Sequence, residues 1–176
     1  MDREIVGEDA DVQPDRRISR FEIGADDPSA ADVSALLGEH LAFARSETPP
    51  EDAHALDVAG LVDPAVTFFS LRLDGRLLAV GAIRELAGDH GEIKSMHTST
   101  DARRQGVGAA LLDHLLGVAR ERSYGRVSLE TGSHPMFLPA RALYARAGFR
   151  VAGPFADYPE SPNSTYLTLE LASPAS

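Results

Sequence analysis

The chain has 176 residues, 43% of them hydrophobic and 25% charged, which suits one globular domain with a substantial core and would cramp two. It contains no cysteine, which excludes disulfides, thiolate metal sites and a cysteine nucleophile; 27 acidic against 17 basic residues leave a net charge of −10, which opposes binding to nucleic acid or an anionic membrane surface. No segment reads as a signal-peptide apolar region or a membrane-length run, so a soluble, cytoplasmic protein is expected.

Residues 1–17 are rich in Asp and Glu without apolar periodicity and read as a disordered acidic tail. From Ile18 the alternation through Ile23 predicts a strand, ended by Gly24. Asp26 or Asp27 before Pro28 signals a helix start; the apolar stripe is Val33, Leu36, Leu37, Leu41 and Ala44, and Thr48-Pro49-Pro50 breaks it. Glu51 to Leu61 reads as a second helix with its acids toward water. Val66 to Leu73 and Arg76 to Leu86 are strands flanking Asp74-Gly75, a two-residue hairpin signal because both turn positions need positive φ. A turn over Gly88 to Gly91 leads into a strand from Glu92 to Thr98.

Val107, Leu111, Leu112, Leu115, Leu116 and Ala119 then share one helical face, with Gly125 as the stop, and Val127 to Thr131 alternates as a strand. Strand, loop, helix and strand in this order make a right-handed crossover. Pro139 opens a last short helix that Gly148 ends, and Phe149 to Ala152 and Thr165 to Leu171 supply two final strands. The order is β, α, α, β, β, β, α, β, α, β, β.

The chemistry concentrates at Arg103-Arg104-Gln105-Gly106-Val107-Gly108, where the amphipathic helix begins. A helix N-terminus presents unpaired N–H groups and the positive end of its dipole, and glycines let a diphosphate approach that backbone. Arg103 and Arg104 would add charge-assisted hydrogen bonds. On the loop alone, a capped helix start reads equally well. A dinucleotide-binding loop fits poorly because the third glycine is missing, and a phosphate-binding NTPase loop fails because no Gly-Lys-Ser/Thr follows.

Arg103 through Gly108 resembles the acetyl-coenzyme A motif Arg/Gln-x-x-Gly-x-Gly/Ala of the GCN5-related N-acetyltransferases (GNAT), and Leu143, Tyr144, Gly148 and Phe149 match the later Leu-Tyr-x-x-x-Gly-Phe. The element order from Ile18 to Leu171 is similar too. The resemblance implies an α/β fold with a mixed, mostly antiparallel central sheet of about seven strands, flanking helices and a splay between the fourth and fifth strands, filling residues 18–172 as one N-acetyltransferase domain. It implies acetyl-CoA as cosubstrate, held by Met96, His97, Thr98, Arg103, Arg104, Gln105, Gly106, Val107, Gly108 and Ala109, with the bulged strand over Met96 to Thr98 pairing with the pantetheine arm and backbone N–H near Met96 polarising the thioester carbonyl.

The same resemblance assigns Glu92 as the base and Tyr144 as the acid. An alkylamine is mostly ammonium at neutral pH and has no lone pair for attack, so a base or water relay must take a proton; the departing thiolate then needs one back. A solvated strand residue and a core tyrosine are the plain alternatives for the two positions. Phe137 stands where many members have Asn, and Thr98 where Val or Ile is common.

Family geometry places the acceptor between Ala44 to Leu61 and Gly153 to Ser164, with Glu130, Phe155 and Tyr158 as substrate contacts. Aromatic surface beside carboxylates suits a cationic amine with an apolar portion. The runs Leu129 to Pro135 and Pro154 to Tyr158 look similar to a small-molecule branch whose members are sometimes labelled auxin-type acetyltransferases, a label that fixes no substrate. The expected activity is direct transfer of acetyl to a primary amine of a small molecule, with a protein or peptide acceptor and a noncatalytic acyl-CoA sensor as rivals. A homodimer remains open. The six histidines lack tight ligand spacing, so no metal is expected; they read as surface or local structural residues, with His97 and His134 kept as pocket candidates.

Overall fold

The computed structural model describes residues 20–171 apart from Glu47, Ala53 and Ala55. The acidic tail and the first two residues of the expected first strand lie outside the described residues. Strands β1 (Phe21–Ala25), β2 (Val66–Leu73), β3 (Arg76–Glu85), β4 (His90–Thr98), β5 (Arg126–Gly132), β6 (Arg150–Ala152) and β7 (Ser164–Glu170) form one sheet in the order β1-β2-β3-β4-β5-β7-β6. Only the β4–β5 pairing is parallel; the other ladders are antiparallel. Helices α1 (Ala31–Ser46), α2 (Val58–Leu61), α3 (Val107–Glu121) and α4 (Leu138–Arg146) complete the order expected from the sequence.

The sheet is buried on both sides at β3, because alternate residues of a strand face opposite ways. Ala79 and Ile83 point into a core with Leu111, Leu115 and Ala119 of α3, whereas Val80 and Ala82 join Val33 and Leu37 of α1, Leu61 of α2 and Phe68 of β2. Leu111 and Leu115 are 0% exposed, and each such leucine stabilises the fold by roughly 1.5–3 kcal/mol. The hairpin is as expected: Asp74 has φ 51° and Gly75 φ 80°.

Three local expectations need correction. Gly24 does not end β1 but pairs with Ser70 inside it. Glu51 to Leu61 is not one helix: a 3-10 turn spans Pro50–Asp52, and α2 starts afresh where the Asp57 carboxylate accepts a bond from Gly60 N–H at 2.9 Å. Gly125 does not stop α3, since the left-handed position there is Ser123 (φ 58°), and Gly125 instead admits Asp89, whose Oδ2 would lie 2.3 Å from a Cβ at that site.

Two features of β4 shape the centre of the molecule. Opposite Gly81 the register shifts, so that Ala82 faces Lys94 but Val80 faces His97, and Ser95 takes φ 54°. Ser95 and Met96 thus form a bulge whose backbone leaves the β3 ladder. The parallel ladder to β5 ends early: it runs from His90 opposite Arg126 to Glu92 opposite Ser128 and stops. Beyond Glu92 the two strands part, and the splay opens directly beside the bulge.

Candidate active site

A cleft of about 760 Å³ occupies the splay and runs from the N-terminus of α3 to the two loops beyond α1 and β6. Its floor is β4 from Glu92 to Thr98 and β5 from Glu130 to Gly132. At one end Arg103, Arg104, Gly106, Val107, Gly108 and Ala109 line it. Gly106 caps α3 with φ 78°, a conformation that a side chain disfavours, and the first bond of the helix is Ala110 N–H to Gly106 O at 2.9 Å. The N–H groups of Val107, Gly108 and Ala109 precede it and lack an intrahelical acceptor. Arg103 and Arg104 are exposed beside them, and Val107 is buried, anchoring the helix start in the core.

This end fits a diphosphate: a fifteen-residue helix contributes the positive end of its dipole, and the guanidinium groups supply charge. Gln105 is set apart from the other expected contacts. Its side chain turns back, Nε2 donating to Asp101 O at 2.7 Å, and it does not line the cleft. Met96, His97 and Thr98 do line it, immediately after the bulge.

Tyr144 projects from α4 into the middle of the cleft wall, 7% exposed, its ring 5.8 Å from that of Phe149. Burial raises its pKa above the ordinary range for a phenol, and the carboxylate of Glu130 adds to the effect. Four rings from three parts of the chain stand nearby. His40 lies 5.2 Å from His97, Phe43 6.4 Å from His97 and 5.2 Å from Phe137. Phe137 is seated on β5 at Gly132, where a Cβ would lie 2.3 Å from its ring. Desolvation lowers the pKa of both His40 and His97 to about 4, so these rings are neutral at pH 7.

The far end is acidic, with Lys94 among its carboxylates. Glu92 is 1% exposed; its Oε1 accepts from Lys94 Nζ at 3.1 Å and from Tyr158 OH at 2.5 Å. Lys94 Nζ also donates to Tyr158 OH at 2.5 Å. Burial raises the pKa of Glu130 to about 7, with the charges of Glu92 and Asp52 reinforcing and that of Lys94 opposing. Burial likewise raises the pKa of Tyr158, as do the Glu92 charge and hydrogen bond, so the phenol stays protonated.

The two loops meet over this end. Asn163 Nδ2 donates to Asp52 Oδ2 at 2.9 Å, and the His54 ring stands edge-on to Tyr158 at 4.9 Å. The second loop is itself pinned, by Tyr166 OH donating to Pro159 O at 2.5 Å and by Ser133 Oγ donating to Pro162 O at 2.6 Å. Phe155, expected as a substrate contact, belongs to this pinning: it packs among His90, Tyr158 and Tyr166 and does not line the cleft. An irregular loop needs such an apolar anchor to hold one conformation.

Sequence reasoning missed His40, Phe43 and Lys94 as cleft residues and did not single out Asp52 and His54 within Ala44 to Leu61, the stretch expected to flank the acceptor. Asp52, expected to face water, is half-buried and bonded across the cleft, and His40 and His54, read as surface or local structure, line it. Among the described residues, no three His, Asp or Glu side chains are grouped to hold a metal ion. The one available signal was Lys94, the sole lysine of the chain, alternating with Glu92 on the same face of a strand.

Residues 33–149 match the model of the acetyltransferase (GNAT) family. An uncharacterized N-acetyltransferase, YsnE of Bacillus subtilis (strain 168), is 45% identical over 149 residues, covering 85% of this chain and 99% of that protein. The IAA acetyltransferase of Azospirillum brasilense is 31% identical over 147 residues, covering 82% and 94%. A crystal structure of a GNAT family acetyltransferase from Elizabethkingia anophelis with acetyl-CoA bound shares the fold at TM-score 0.65 and 16% identity, covering 87% and 99%. The chain belongs to the GNAT acetyltransferase family. It is therefore an acyltransferase, and the family's acyl donor is acetyl-CoA.

Proposed function

We propose that this protein binds acetyl-CoA with its diphosphate at the α3 N-terminus and transfers the acetyl group directly to a primary amine of a small molecule. The observation that carries the small-molecule reading is the closure of the acceptor end, where Asp52 meets Asn163 and His54 meets Tyr158 across the cleft mouth. A protein tail would need an open groove there. Carboxylates at that end attract a cationic amine, and the rings of Phe43 and Phe137 offer its apolar part a surface.

In this reading the pantetheine arm lies along β4 after the bulge, and the freed backbone at Ser95 and Met96 polarises the thioester carbonyl. Glu92 is the ultimate base. The amine nitrogen bonds to the carbonyl carbon, the carbon–sulfur bond breaks, and Tyr144 protonates the sulfur. A phenol whose pKa is raised gives its proton to a thiolate only uphill, so the second proton of the nitrogen, lost as the amide forms, has to replace it in the same event. Overall an ammonium and a thioester become an amide, a thiol and one proton.

The test is thiol release from acetyl-CoA across a panel of alkylamines, arylalkylamines, amino acids and peptides. At least one small amine should turn over faster than every peptide. Turnover of peptides alone would replace the acceptor class, and binding of acetyl-CoA without turnover of any acceptor would make the protein a sensor.

A further inference from the structure

Resting on Glu92 as the base, a further role follows from the way this carboxylate is enclosed. Neither of its oxygens is open to an acceptor: Oε1 is occupied by Lys94 and Tyr158, while Oε2 is buried without a hydrogen bond, with Arg84 Nη1 at 3.9 Å. Glu92 and Tyr158 both line the cleft, but Tyr158 is only half-buried where Glu92 is 1% exposed. We propose that Tyr158 takes the proton from the acceptor ammonium and passes its own proton to Glu92, so that the buried carboxylate acts as base through the phenol.

The hydrogen-bond arithmetic sets the direction. An ammonium only donates, so the 2.5 Å contact from Lys94 Nζ occupies one lone pair of the phenol oxygen. The single phenol hydrogen is thereby committed to Glu92 Oε1 at 2.5 Å. One lone pair remains, and it is the one that can accept an N–H from the substrate. As that N–H bond breaks, a new O–H bond forms on Tyr158 and its old O–H bond breaks toward Glu92; the phenol ends neutral, the carboxylate protonated, and the amine has its lone pair. No tyrosinate forms, in keeping with the raised pKa of the phenol. Lys94 as ammonium cannot take the proton itself. The charged and titratable groups around the pair are Arg84, Lys94, Glu130, Asp52, His54 and His90.

The test compares wild type, Tyr158→Phe, Glu92→Gln and the double variant, with the best amine of the panel, from pH 6 to 10. Tyr158→Phe keeps the ring that packs on His54 and Phe155, and a thermal melt checks its fold. At pH 7 it should lose about 100-fold in kcat with little change in KM for acetyl-CoA. The deficit should shrink as pH approaches the amine's own pKa, where the neutral nucleophile no longer needs a base, which a merely structural loss would not do. Because both groups lie on one proton path, the double variant should be no slower than the slower single variant. Full activity of Tyr158→Phe, a pH-independent deficit, or multiplied losses in the double variant would each overturn the relay. Absence of turnover by wild type with every amine would instead sink the acyl-transfer reading on which the relay rests.

Discussion

The two ends of the cleft are built in opposite ways. The end proposed to take the donor is local: Met96 to Ala109 is one continuous stretch, its groups are backbone N–H and exposed arginines, and left-handed residues at Arg104 (φ 59°) and Gly106 (φ 78°) set its backbone geometry. The acceptor end is assembled from residues far apart in the chain, with Asp52 bonded to Asn163 and Glu92 to Tyr158, and its polar groups are buried and interlocked. A local device suits a ligand part common to every member of a family, whereas a contact set of high sequence separation can be changed loop by loop. Losses at the donor end should therefore read as cofactor affinity, and losses at the acceptor end as acceptor affinity or proton transfer.

The largest effect is expected where the ends meet. Tyr144→Phe should lower kcat by about 10²- to 10⁴-fold, the range for a positioned general acid, with KM for acetyl-CoA little changed because the ring still packs on Phe149. Steady-state kinetics by thiol release checks this. Equal rates would leave the phenol a packing residue and remove the link between the two halves.

Next in size is a pH effect that belongs to the acceptor end alone. Glu130 has a folded pKa of about 7 against an ordinary 4.5, so between these values the folded state holds the proton that the unfolded chain has lost. Unfolding free energy then falls as pH rises from 4.5 to 7; the penalty is complete above 7 and absent below 4.5. Its ceiling is about 3 kcal/mol. Glu130→Gln keeps the shape without the charge, so it should be more stable than wild type at pH 8 and nearly equal to it at pH 4. Urea unfolding at the two pH values measures the difference.

The same contrast explains what could be read from the residues. The loop proposed to hold the donor stood out through its pairing with Leu143, Tyr144, Gly148 and Phe149 further along, and the hairpin at Asp74-Gly75 was legible because positive φ restricts composition. Helix α3 followed from periodicity, and strands β2 and β3 from residues that favour strands on either side of that hairpin signal. Gly24 and Gly125 misled because glycine also serves in a strand and in close packing, and only the neighbour, Asp89 in the second case, tells which. Phe155 and Tyr158 looked alike in sequence, two aromatics three residues apart in one loop. One became the anchor and the other the cleft residue, a choice made by His90 and Glu92 across the fold. Likewise nothing near Asp52 announces Asn163.

At the donor end, Arg104→Ala removes one charge-assisted contact to a phosphate and should weaken acetyl-CoA binding by roughly tenfold, since such bonds contribute about 1.5–3 kcal/mol and this residue is exposed. The loss should shrink at high salt as screening reduces the contact. Calorimetric titration at two salt concentrations tests both, and kcat at saturating acetyl-CoA should hold. A fall in kcat without a fall in affinity would mean that the loop does more than hold the donor.

The smallest expected effect discriminates most between an enclosed acceptor pocket and an open one. Asn163→Ala removes the 2.9 Å bond to Asp52, while Tyr158 and its bonds to Glu92 and Lys94 remain. KM for a small amine should rise a few-fold, with kcat and acetyl-CoA affinity unchanged. Peptide amines, which the proposed enclosure would exclude, should gain relative to the small amine. If KM for the small amine stays level and peptides gain nothing, the bridge is not what closes the mouth, and enclosure has to come from Tyr158 and His54 alone.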